Sequence, residues 1–66
     1  MSETMTQLKD RAKSWPEPWG SHARELIRDA HFDLALCQRK HMNRVVEDLR
    51  QALLATEQEM LGENNE

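Results

Sequence analysis

Cys37 and His41 are the residues of this chain best suited to chemistry by type, since thiolate and imidazole are both metal ligands. Four residues apart, they share one face if the segment is helical. A dimer would then supply two Cys and two His, enough for a tetrahedral Zn²⁺ site. Structural zinc sites, however, draw ligands from short loops with C-x-x-C or H-x-x-x-H spacing, and neither occurs here. Cys37 therefore reads as a small buried hydrophobe. The neighbouring carboxylates, Asp29 with Asp33 and Glu47 with Asp48, alternate with Arg28, Arg44 and Arg50 at ion-pair spacing, the pattern of a solvated helix face. There is no Gly-rich phosphate loop and no nucleophile elbow. A chain of 66 residues also lacks the mass to wall off a substrate pocket. The expectation is a protein with no catalytic residue, no cofactor and no metal.

Binding is the remaining chemistry, and two groups of residues could carry it. Arg39, Lys40, His41 and Arg44 form the one basic cluster. Its plain reading is the wet outer face of a helix; the sharper one is a contact surface for an acidic protein or, as the alternative, a nucleic acid. A helix-turn-helix reader needs a recognisable turn ahead of its recognition helix, and only Asn43 offers one. Aromatic platforms for single strands are missing beside the cluster, because Trp15 and Trp19 lie far from it in sequence. Those two tryptophans are the second group. They read either as pins between helices or as an exposed hook for a protein partner.

The elements that position these residues are helical throughout. From Ser21 to Leu61 there is neither Gly nor Pro. Apolar residues recur along that stretch at steps of three and four, or sums of these, which marks one helical face. Ser21 has the chemistry of an N-cap and Gly62 that of a C′ residue. The apolar stripe turns by about 80° between its two halves, across Gln38 to Arg44. Two structures explain the turn. One is a continuous helix over 21–61 that bends or supercoils; the other is a helical hairpin with a turn at His41–Asn43. Gln, Arg, Lys and Met are good helix formers, so the continuous helix is favoured. Ahead of it, Thr4 and Gln7 fit a capping box, and a helix is expected over 4–14 with Met5, Leu8, Ala12 and Trp15 on one stripe. Pro16 and Pro18 stiffen the link 15–20, and 62–66 reads as a disordered acidic tail.

A single all-α domain over 1–66 is expected, and size argues that it needs help. A chain this short buries only ~60% of its unfolded surface, and one cysteine excludes an internal disulfide. A helix of about 60 Å is too long for a compact monomer. Phe32, Leu36 and Leu54 add a second apolar side opposite the first, so an antiparallel homodimer follows as the expectation. Its interface would comprise Leu26, Ile27, Ala30, Leu34, Cys37, Val45, Leu49 and Ala52, with His41 near the two-fold axis. Antiparallel pairing sets Glu57, Glu59 and Glu63 against the partner's Arg24 and Arg28, whereas parallel pairing sets like charges together.

The net charge of −3 is uneven. Residues 51–66 hold four negative and no positive groups, unlike a basic nucleic-acid binder. No secretory signal and no apolar run of membrane-spanning length is present, and with a single cysteine a cytoplasmic home is expected.

The chain resembles the very short accessory proteins encoded in the early region of lambdoid bacteriophages, between the recombination and excision genes. The residues that carry this are the Ser2-Glu3-Thr4-Met5 opening, the Trp15-Pro16-Glu17-Pro18-Trp19 link, the Met-containing helices and the Glu63-Asn64-Asn65-Glu66 end. The resemblance implies a non-enzymatic protein acting on phage development or host physiology by binding something. It transfers no site residues. The expected function is that of a small regulatory or adaptor module working through protein contacts.

Overall fold

A computed structural model describes residues 4–64. These residues form α1 (Met5–Ala12), α2 (Trp19–Leu36), a 3₁₀ turn (Arg39–His41) and α3 (Met42–Asn64), with no strand among them.

Helix α1 begins as its sequence dictates. The Thr4 Oγ accepts from the Gln7 N–H at 3.2 Å, and the Gln7 Oε1 accepts from the Thr4 N–H at 2.8 Å, a complete capping box. The helix is shorter than 4–14, with Lys13 at its C-cap, and Trp15 bonds back to the Ala12 carbonyl. Its stripe is used as expected. Leu8 and Ala12 are buried, and Met5 and Trp15 pack against them, so a helix too short to stand alone is held by its apolar side.

Helix α2 starts two residues before Ser21, with Pro18 in the N-cap position. Ser21 is not the cap. Its backbone N–H and its hydroxyl both donate to the Glu17 carboxylate, which satisfies one backbone donor of the first turn, while the Gly20 and His22 N–H groups donate to the Pro16 and Pro18 carbonyls. Gly20 is buried there because the chain passes too close for a side chain. A Cβ at this position would lie 2.7 Å from the Trp15 carbonyl oxygen.

The continuous helix over 21–61 is not formed. Cys37 (φ −81°, ψ 161°) and Gln38 (φ −71°, ψ 150°) are both extended, and the 3₁₀ turn follows before α3 runs back along α2. The longest dimension of the fold is 43 Å, well short of the ~60 Å a continuous helix would need. The reversal also lies earlier than His41–Asn43, and Asn43 is an ordinary residue inside α3. Propensity favoured continuity, but packing decides: folding back lets Ala23, Ile27 and Ala30 meet Leu49 and Leu53, with α1 closing the cluster through Leu8 and Ala12. The change in stripe direction was the sign of this turn. The alanines matter by being small, since Ala23 is fully buried where elements press together.

Helix α3 runs through Gly62 to Asn64, so Gly62 does not end it; of the expected tail, residues 65 and 66 lie outside the described residues. Near its C-terminal end, Met60 and Thr56 are buried, and the Thr56 hydroxyl donates to the Ala52 carbonyl at 2.9 Å. An ion pair fastens α1 to α3. Arg11 forks onto Glu57, with Nη2 to Oε1 at 2.9 Å and Nε to Oε2 at 3.3 Å. Glu57, expected to face a partner chain, is thus engaged within its own. Among the described residues no helix is long and apolar enough to cross a membrane.

Candidate interaction surfaces

The fold relocates the residues expected to hold a dimer together. Ile27, Ala30 and Leu49 lie in the chain's own core, and Leu26 and Val45 pack against it. Leu34, Cys37 and Ala52 are half-buried. Three of the eight residues drawn for a partner are thus buried by the chain itself, and the other five remain partly exposed. His41 lies at the hairpin end, so it is not the midpoint of any long helix. Cys37 and His41 share no helical face, because Cys37 is extended and its thiol points back to the Leu34 carbonyl at 3.7 Å. Among the described residues no cluster of metal-ligating side chains forms.

Arg39, Lys40, His41 and Arg44 do come together, as an exposed group around the 3₁₀ turn and the first turn of α3. Cations there oppose the positive end of the helix dipole, so they cost α3 some stability. Trp15 and Trp19 separate. Trp15 packs on the core, in keeping with a pin between helices, and Trp19 is half-buried at the head of α2.

The second apolar side is treated differently from the first. Phe32 is 61% exposed and Leu36 83%, while Leu54 is half-buried. The short helix does not cover Phe32 and Leu36, because it is spent on the core side. Next to Phe32, α1 and α2 leave an open groove of about 840 Å³. Its apolar lining comes from Ala12, Ile27, Phe32 and Ala35, and its polar edge from Lys9, Lys13, Arg24, Arg28, His31 and Asp10. Four cations stand against Asp10 in the lining and against Glu17, which pairs with Arg24, leaving +2 before His31 is counted, against −3 for the whole chain. Arg24 is fixed on this edge by the Glu17 carboxylate, Nη2 to Oε1 at 2.9 Å. The Ser21 hydroxyl first and Arg24 second hold the Glu17 carboxyl below its ordinary range. Lys9, Lys13 and Arg28 make no ion pair with any described residue.

The groove was missed in the sequence because its lining comes from two elements whose angle is set by packing. The available signal was the stripe of Phe32 and Leu36, flanked at helical spacing by Arg24 and Arg28. Glu47 and Arg50 form the expected ion pair at 2.6 Å, and Gln51 donates to the same carboxylate. Arg50 first and Gln51 second lower the Glu47 carboxyl to about 2. No family model matches the chain, and comparisons with curated proteins and with solved structures found no match.

Proposed function

We propose that this chain is a small non-enzymatic regulatory or adaptor protein that works through protein–protein contacts. One observation carries the reading. Leu8 and Leu53 are each 1% exposed, so the chain completes a core of its own, yet Phe32, which lines a groove, and Leu36, one turn further along α2, stand in solvent. Exposed apolar residues gathered on one face mark interaction surfaces. The resemblance to phage early-region proteins supports a setting in phage development or host takeover.

A second reading has its own observation. Arg39, Lys40, His41 and Arg44 lie where the α3 dipole also attracts anions, so a nucleic acid backbone could dock at the hairpin end. Affinity capture from a nuclease-treated cell extract separates the two. Under the protein-contact reading, the immobilised wild-type chain retains a protein that Phe32→Asp loses and Lys40→Glu keeps. Retention of nucleic acid from an untreated extract, abolished by Lys40→Glu and falling steeply with salt, would replace that reading with the second.

A further inference from the structure

We propose that the groove between α1 and α2 is a docking site for an acidic amphipathic helix of a partner protein, with Phe32 as its apolar anchor. The inference rests on the protein-contact reading and names the class of partner.

Shape comes first. From Arg24 to Ala35 the groove follows twelve residues of α2, about 17 Å end to end at 1.5 Å per step, which matches about three turns of a bound helix. Its floor is apolar along that length. Ile27 of α2 and Ala12 of α1 are buried in it, and Phe32 lies open to solvent. A helix laid there meets apolar positions at helical spacing, as in helix-in-groove recognition.

Charge selects the occupant. Lys9 and Lys13 stand on the α1 edge and Arg28 on the α2 edge, none of them paired with any described residue. Carboxylates flanking the apolar stripe of a ligand helix would find cations on both sides, while a basic helix would be repelled. The local balance of +2, with Arg24 offset by Glu17, on a chain of −3 concentrates this preference in the groove. A second copy of the chain fits less well. Two such grooves facing each other set like charges together. The acidic end of α3 is not free to serve as the ligand either, because Met60 is buried in its own fold and Glu57 is held by Arg11.

The test uses the full chain and a labelled synthetic helix of about 14 residues, with Leu at steps of three and four and Glu between them. A counterpart with Lys in place of every Glu is the control. Fluorescence anisotropy should show binding of the acidic peptide only, weakening about tenfold between ~50 and ~300 mM salt. Arg28→Glu and Lys13→Glu should each weaken it by about tenfold, and Phe32→Asp should abolish it, with unchanged helical circular dichroism in all three variants. Equal binding of the acidic and lysine peptides would overturn the proposal. So would failure of the acidic peptide to bind a chain whose protein capture still depends on Phe32, and that result leaves the protein-contact reading standing. A wild-type dimer in sedimentation equilibrium that Phe32→Asp disperses would assign the face to a second copy and overturn the acidic-helix proposal.

Discussion

Gly20 shows how little room a single side chain has in this fold. In an exposed helix, replacing Gly by Ala gains up to ~1 kcal/mol from backbone entropy. Here the added methyl would meet the Trp15 carbonyl at 2.7 Å, and that atom belongs to backbone that cannot swing aside. Gly20→Ala should therefore destabilise by roughly 1–3 kcal/mol, the cost of overpacking, as read by urea unfolding. Glu47 carries a prediction about pH. Its folded pKa of about 2 lies below the ordinary 4.5, so the carboxylate form is favoured in the fold. A depressed acid contributes stability above its unfolded value, and that contribution is lost as pH falls. Stability should decline between about pH 4.5 and 2, and Glu47→Gln should remove that share of the decline when unfolding midpoints are followed across the window.

At the scale of elements, α1 depends wholly on its docking, because eight residues have no helical stability of their own. Burial of Leu8 and Ala12 supplies most of the attachment, and the Arg11–Glu57 fork sets its orientation across α3. The Arg11 and Glu57 side chains are 36% and 21% exposed, so the pair is partly shielded from solvent. A double-mutant cycle with Arg11→Ala and Glu57→Ala should give a coupling near the top of the surface range, about 1 kcal/mol. A coupling of zero would mean that this pair does not help to hold α1. Leu8→Ala removes apolar burial, which contributes more than the ion pair. It should cost ~2–5 kcal/mol in urea unfolding, enough to free α1 or unfold a domain this small.

The whole molecule is decided by the reversal at Cys37–Gln38. Spin labels on Asp29→Cys and Gln51→Cys, both exposed positions, in a Cys37→Ser background report on it directly. Packed helices lie 8–10 Å apart, so the hairpin should give a separation of roughly 10–20 Å. A continuous helix would separate the same positions by ~33 Å. The hairpin also explains how a chain of 66 residues completes a core, since α2 and α3 each present one apolar stripe to the other and α1 caps the seam. Phe32 and Leu36 stay outside that core, as do Met42 and Leu61.

Local information in the sequence was sufficient for whatever depends on neighbours within one turn. The Thr4–Gln7 capping box, the stripe of Met5, Leu8, Ala12 and Trp15, the Glu47–Arg50 pair and the all-helical class are of this kind, because backbone geometry alone sets those distances. The start of α2 lies two residues ahead of the expected Ser21 because its cap is the Glu17 carboxylate reaching forward, a side-chain placement that Ser21 concealed. The place where the long apolar stretch folds back was visible only as a change in stripe direction. Propensity could not locate the turn, since Cys37 and Gln38 are not strong breakers and take extended backbone for the burial it permits. The same applies to the groove. Lys9 and Lys13 lie on one helix and Arg28 and Phe32 on another, and only the packing of α1 against α2 makes them one surface.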